Sequence, residues 1–459
     1  MDKQQQHRNI QTPSSPAAAS ATAPVHLDRW ADVAGQLFAA YPGSVGLRLG
    51  PDAAPVLVGR QAAQAPEPDF TLSLGNAEIL RRLITGRDPL RFADAYFRGD
   101  MQIEGDLFAA LRLKDFLHEL RVPPLQRIKI LLRMLGLSGS AAGGAGRQLA
   151  ALAAPQVKAH SRVENLEAIA FHYDVSNDFY ALWLDRQMVY SCAYFEREDT
   201  SLDEAQTAKL DHICRKLRLA PGERFLDIGC GWGALVLHAA RHYGVQSHGV
   251  TLSARQLALA RERIDAAGLG GRVSVELRDY RDLECQNEEQ FFDKVASVGM
   301  VEHVGLKNLP QYFAKVHSLL RPGGLFLNHG ITHDEEGWGQ ALSARFINRY
   351  VFPDGELDLL SNVQREMERG QFEILDVEGL RTHYALTLRH WVRQLEAHHE
   401  EALQYVGEAH YRIWRLYMAA SAMEFESGEL GIYQILGSRR LDGGGPSAQT
   451  LTRRYLYER

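Results

Sequence analysis

The sequence predicts an α/β fold, a doubly wound sheet of parallel strands with a smaller N-terminal α+β domain. Three observations point there. Between residues 161 and 438 short apolar runs alternate with amphipathic stretches, the pattern of strands covered by helices. One run, Phe225–Ile228, passes straight into Gly229, Gly231 and Gly233 and then into a helical pattern over Ala234–Tyr243. Before residue 121 the periodicity is mixed, with strand-like and helix-like pieces side by side.

Taken in chain order, residues 1–26 are rich in Gln, Ser, Pro and Ala and read as a disordered lead, with no apolar core for a secretory signal. Residues 27–120 form the small domain. Val45–Leu49 and Phe70–Leu74 are its strand candidates, and Asn76 can cap a helix whose face carries Ile79, Leu80, Leu83 and Ile84. Residues 121–160 are a linker. Within it Leu125, Ile128, Leu132 and Leu135 repeat at helical spacing beside Arg127, Lys129 and Arg133, and residues 138–146 are glycine- and serine-rich.

In the 161–438 domain the strand candidates are Arg224–Ile228, Gln246–Val250, Val273–Leu277, Lys294–Val298 and Gly324–Asn328. Helices are expected over Ala254–Ala267 and Leu309–Leu320, and Pro322-Gly323-Gly324 reads as a turn into the fifth strand. Residues 439–459 read as a loose tail.

Composition sets outer bounds. A chain of 459 residues suits two or three domains, and a net charge of −6 gives no reason to expect nucleic acid as a partner. The four cysteines form no CxxC pair, which argues against a zinc ribbon or a disulfide framework and fits a reducing compartment. No apolar run approaches the ~18 residues that span a bilayer. A cytoplasmic protein is expected.

The glycine-rich turn carries the first chemistry. Three glycines at alternate positions let a ligand approach the backbone amides at the start of a helix, and the same sequence also serves as a plain tight turn. The ligand is a dinucleotide or S-adenosylmethionine. A dinucleotide fold wants G-x-G-x-x-G, whereas the spacing here is G-x-G-x-G with Ala at 234. Asp227 can hold a methionine ammonium group. The second strand ends at Thr251, with Gln256 nearby for ribose hydroxyls, and the third ends at Asp279-Tyr280, a carboxylate for the adenine amine and a ring beside the base. These favour S-adenosylmethionine.

Several words then resemble one family. They are Phe171-His172-Tyr173-Asp174-Val175-Ser176-Asn177-Asp178-Phe179-Tyr180, Met188-Val189-Tyr190-Ser191-Cys192-Ala193-Tyr194-Phe195, the Leu226–Gly233 loop, Gly249–Ser253, Ser297–Gly305 and Phe352-Pro353-Asp354-Gly355. From about Val163 to Gln434 the chain resembles the cyclopropane-fatty-acyl-phospholipid synthases, related to the mycolic acid cyclopropane synthases. Phe92–Asp100 and Glu104–Leu107 resemble the extra N-terminal domain of the phospholipid enzymes.

The resemblance implies a Rossmann-like class I methyltransferase that adds a methylene across a cis double bond of unsaturated phospholipid acyl chains. A related fatty-acyl C-methyltransferase, leaving a methyl or methylene branch, is the alternative. The methyl of S-adenosylmethionine is attacked by the alkene, and the resulting carbocation needs an apolar site, aromatic faces and a base.

By resemblance that base is bound bicarbonate, held by Cys192 and Ile331 through their backbones and by Glu302, His329 and Tyr384. Tyr190, Ser191, Gly229, Gly231, Gly233, Thr251, Gln256, Asp279 and Tyr280 carry over as cofactor contacts. Taken singly, Cys192 is a small buried residue, His329 a structural hydrogen bonder and Glu302 a helix-capping or pairing residue. Their joint occurrence carries the reading.

One position departs from the family, Ser421 standing where it often has a cysteine. His303, His398 and His399 lack metal-ligand spacing, so no metal is expected. The resemblance also implies a homodimer. Phospholipid substrate implies peripheral association with the inner face of the membrane, for which the basic stripe at 125–135 offers a means, although a helix packing between domains has the same pattern.

Overall fold

The computed structural model describes residues 24–50, 53–64, 67–75, 79, 90–119, 164, 175–336, 342–353, 355–443, 445–447 and 449–457. The helix expected after Asn76 (apart from Ile79), the basic stripe at 125–135, the glycine-rich 138–146, the 171–174 motif and Asp354 lie outside the described residues. The chain divides into two compact units. One comprises the described residues before 86 together with Gln102–Gly105 and 113–119; the other comprises 90–101, 106–112 and everything from 164 onward.

The smaller unit is α+β. Helix α1 (Pro24–Phe38) begins inside the stretch expected as a disordered lead. Strands β1 (Val45–Leu49), β2 (Val56–Val58), β3 (Phe70–Leu74) and β4 (Met101–Gly105) form one sheet in the order β2-β1-β3-β4. β1 pairs antiparallel with β2 and parallel with β3. Val33, Leu37 and Phe38 of α1 are buried, as are Val45, Leu47, Phe70 and Leu72 of the sheet. Gly59 (φ 108°) makes the close approach that follows β2, where a Cβ would stand 2.2 Å from the Gly43 carbonyl oxygen.

Residues 92–100, expected in that small domain, cluster with the larger unit. Helix α2 (Leu90–Phe97) packs there on α10 (Leu342–Tyr350), with Phe97 5.1 Å from the Tyr350 ring. It also meets α14 (Glu408–Ser427), where Arg415 Nη1 donates to Tyr96 Oη at 3.0 Å.

The larger unit is the doubly wound sheet. Along the chain α3 (Leu107–Glu119) and α4 (Asn177–Ala181) precede helix α5 (Leu202–Lys216), which starts on a capping box between Ser201 and Glu204. Then come β5 (Arg224–Ile228), α6 (Ala234–Tyr243), β6 (Gln246–Thr251), α7 (Ala254–Ala266), β7 (Val273–Leu277) and β8 (Phe292–Val298). After β8 run α8 (Val301–Val304), α9 (Leu309–Leu319) and β9 (Leu320–His333). These strands are parallel, and each expected one is present.

Past α10 lie α11 (Leu360–Arg369), β10 (Phe372–Gly379), α12 (Arg381–Ala397), α13 (His399–Tyr405) and, after α14, β11 (Leu430–Arg439). β11 runs antiparallel to β9, and β10 antiparallel to β11. The seven strands order as β10-β11-β9-β8-β5-β6-β7. Strand order reverses at β5, flanked by β6 and β8, which places a crevice beyond its carboxyl end. One apolar layer, with Phe225, Val236 and Ala260, covers one face; Leu226, Val295, Phe313 and Phe326 fill the other.

Two expectations change. The Pro322-Gly323-Gly324 turn lies within β9 as a bulge: pairing with β8 jumps from Phe292↔Leu320 to Lys294↔Leu325, and Gly323 takes φ 74°. The C-terminal segment is docked, not loose. Ser447 N and Oγ and Gln449 Nε2 donate to Glu373, Arg453 pairs with Asp376, and Leu456 is 2% exposed.

A chain ending at Asp442 is therefore expected to lose about 2–3 kcal/mol, mostly from Leu456 because the Arg453 end of its ion pair is solvated. Calorimetry of the truncated protein checks this, and an unchanged midpoint would show the docking to be idle. Among the described residues no helix is long and apolar enough to cross a membrane.

Candidate active site

The crevice beyond β5 is a cavity walled by nine of the ten expected cofactor contacts: Tyr190, Ser191, Asp227, Gly229, Gly231, Thr251, Gln256, Asp279 and Tyr280. Gly233 is outside the wall. Its φ of 82° starts α6, and its Cα faces Ala260 of α7, whose Cβ a side chain there would meet at 3.3 Å; it serves helix packing.

Gly229 (φ 83°) and Cys230 both donate their amides to Val250 O, which folds the loop over the sheet. A Cβ at Gly229 would meet Met300 at 2.6 Å, so backbone alone forms that part of the wall. Gly231 has open space in front of it.

At one end of the cavity Asp279 is not free for an adenine amine alone. Arg281 holds it in a bidentate pair, Nε–Oδ1 2.9 Å and Nη2–Oδ2 2.5 Å. In the middle Thr251 Oγ1 donates to Gln256 Oε1 at 2.8 Å, which orients the Gln256 amide. At the other end Asp227 is 3% exposed, and its Oδ1 has no hydrogen-bond partner among the described residues. Burial lifts its pKa to about 7 against the pull of Lys209.

The residues expected around bicarbonate meet beside this cavity but are not in its wall. A short path of contacts joins all five. Cys192 Sγ donates to Leu380 O at 3.8 Å, and Tyr384 N donates to the same oxygen. Leu380 N donates to Ile432 O, Ile432 pairs with Ile331, and Ile331 N donates to Glu302 Oε1 at 2.7 Å. His329 stands two residues before Ile331 on β9. The Ile331 amide, expected to face an anion, is thus taken by Glu302.

Glu302 Oε2 and His329 Nε2 are buried with no hydrogen-bond partner among the described residues. Burial pushes the Glu302 carboxyl up and keeps the His329 imidazole neutral, the latter helped by the charges of Lys209 and Lys216. Gln434 Nε2 donates to His329 Nδ1 at 3.2 Å, which puts the ring proton on Nε2. Cys192 is fully buried and its thiol is pushed upward, so it is no nucleophile. Tyr384 lies against Trp391, and Trp391 against Tyr190 of the cavity wall. Tyr180, Trp183, Tyr190, Trp391 and Trp414 pack with ring centroids 5.2–6.1 Å apart in the pairs that touch.

The matching family model is that of mycolic acid cyclopropane synthetase, over residues 160–435. The chain belongs to the mycolic acid cyclopropane synthetase family. A probable fatty acid methyltransferase of Pseudomonas putida is 41% identical over 381 residues, 82% of this chain and 89% of its own. The cyclopropane-fatty-acyl-phospholipid synthase of Escherichia coli K12 is 39% identical over 273 residues, 60% of this chain and 68% of its own. Among solved structures, the cyclopropane synthase MmaA2 of Mycobacterium tuberculosis is 32% identical with a TM-score of 0.57, over 61% of this chain and all of that one.

As a member of the cyclopropane synthetase family the protein has the class I methyltransferase fold, and its enzyme class is S-adenosylmethionine-dependent methyl transfer.

Sequence reasoning missed Lys209, which also lines the cavity, and the Gln206 and Gln434 amides behind it. A signal existed. Gln206, Lys209 and Lys216 sit on the buried stripe of α5 with Ile213, where helical periodicity calls for apolar residues.

Proposed function

We propose that the protein transfers a methylene group from S-adenosylmethionine to the cis double bond of unsaturated phospholipid acyl chains, closing a cyclopropane ring, with bound bicarbonate as the base. S-adenosylmethionine supplies an electrophilic methyl group, and bicarbonate accepts the proton that the new methyl group loses as the ring closes.

One observation carries the reading: two orphaned, buried polar atoms of opposite character, joined through the Ile331 backbone. Glu302 Oε2 accepts and His329 Nε2–H donates, which matches an anion that has both a hydroxyl and bare oxygens. The clustered Tyr190, Trp391 and Trp414 rings, tilted against one another, offer faces to a passing carbocation while presenting no strong nucleophile to capture it. The burial of this side of the site excludes water that would quench the cation. Phospholipid as substrate makes a membrane surface the working partner, approached from the inner face.

A second reading has one observation in its favour. A relative that matches over 82% of this chain is a probable fatty acid methyltransferase, so a methyl- or methylene-branched acyl chain is the alternative product. Purified protein, labelled S-adenosylmethionine and mixed unsaturated phospholipids separate the two. The expected product shows the upfield ring methylene in its proton NMR spectrum, whereas a branched product without that signal supports the alternative. Label that stays out of the acyl chains would refute both.

A further inference from the structure

We propose that Lys209 receives the carboxylate of the cofactor's methionine end, opposite Asp227, which takes its ammonium. This rests on the S-adenosylmethionine reading of the cavity. Lys209 lies on the α5 face that lines the cavity and is 2% exposed. Its one hydrogen bond among the described residues runs to Ser191 Oγ at 2.9 Å, so two of the three ammonium protons are uncommitted.

A buried ammonium calls for an anion, and among the described residues none is in contact with it. Asp185 is turned to its own loop, its oxygens accepting from Gln187 N and Val189 N at 2.8 Å each. Asp227 interacts with Lys209 through space without an ion pair, and its Oδ1 has no hydrogen-bond partner among the described residues. The other cations on the wall are engaged: Arg281 by Asp279, and Arg278 by Glu276 and the Asp282 carbonyl. The Asp227–Lys209 end thus presents one negative and one positive group to the same space, the complement of an α-amino acid zwitterion.

Burial holds Lys209 near 8 and Asp227 near 7, so both charges are weakly secured at neutral pH without a ligand of opposite sign. The preference should therefore be large, because each partner is desolvated before the ligand arrives.

Calorimetric titration with S-adenosylmethionine and with decarboxylated S-adenosylmethionine, which lacks only the carboxylate, tests this. The wild-type protein should bind the intact cofactor about 30-fold more tightly, the ratio expected of a charge-assisted pair. In Lys209→Met the intact cofactor should lose about that factor, the decarboxylated one should be nearly unaffected, and the preference should vanish. Equal wild-type affinities overturn the proposal whether or not the variant folds. A preference that survives in Lys209→Met, or equal weakening of both ligands, overturns it too, the second outcome marking Lys209 as a support for Ser191. Wild-type protein that binds neither ligand would defeat the cofactor reading itself.

Discussion

Glu302→Gln is expected to lower turnover by about 10³-fold, within the range for a lost proton-handling group, while changing S-adenosylhomocysteine affinity by less than about threefold. The side chain has two separable tasks. Oε1 accepts from the Ile331 amide at 2.7 Å, and a glutamine oxygen keeps that bond, so β9 and α8 stay in register. Oε2 has no hydrogen-bond partner among the described residues, and in the glutamine that position becomes a donor instead of an acceptor. An anion with a hydroxyl then loses its acceptor.

The cofactor cavity includes Met300 and His303 but not Glu302, so its affinity should barely move. Radiolabel transfer and calorimetry on the same preparation check both halves. Wild-type turnover would remove Glu302 from the chemistry. A parallel loss of cofactor affinity would make its role structural.

Much of the parallel sheet was legible because its physics is local. Phe225–Ile228, Gln246–Val250 and Val273–Leu277 are short runs ended by turns, and they appear within a residue of where the pattern put them. The strands β10 and β11 were not legible. Their apolar residues are interleaved with Glu373, Asp376, Glu378 and Gln434, which looks like a solvated loop until the partner strand is known. Asp376 and Gln434 are buried because they answer Lys216 and His329, residues distant in sequence.

The site divides the same way. The glycines, Thr251 and Asp279 announce themselves by lying at strand ends. Glu302, His329 and Tyr384 came from resemblance, since each alone is an ordinary buried polar residue. Lys209 fell between the two, off any motif and on a helix face where periodicity predicts apolar contact. The docked C-terminal segment escaped for a related reason, as one buried Leu456 among charged neighbours gives no period to read.

The same buried charges make Lys216→Met the substitution with the largest expected cost in stability, about 3–5 kcal/mol, or a fall in Tm of roughly 6–10 °C. Lys216 is wholly buried, with Nζ 2.5 Å from Glu378 Oε2 and 3.6 Å from Asp376 Oδ2. Methionine fills the volume but takes the cation from Glu378, which keeps only its His212 hydrogen bond, while Asp376 falls back on Arg453.

Burial alone would raise the Glu378 pKa, yet the hydrogen bond from His212 and the Lys216 charge hold it at about 2. The stabilisation is therefore complete above the ordinary value of 4.5 and fades as pH falls through about 2, so the penalty of Lys216→Met should shrink in acid. Adding Glu378→Gln should recover part of the loss at pH 7, because the second change removes a charge the first left unpaired. Scanning calorimetry of the single and double variants at pH 7 distinguishes this from simple packing damage, which the second substitution would deepen. The consequence reaches the active site, since Lys216 is one of the charges that keep His329 neutral. A destabilised but folded Lys216→Met protein should show the His329 titration moving upward by NMR, and a His329 signal that stays where it is would cut the link between this network and the chemistry.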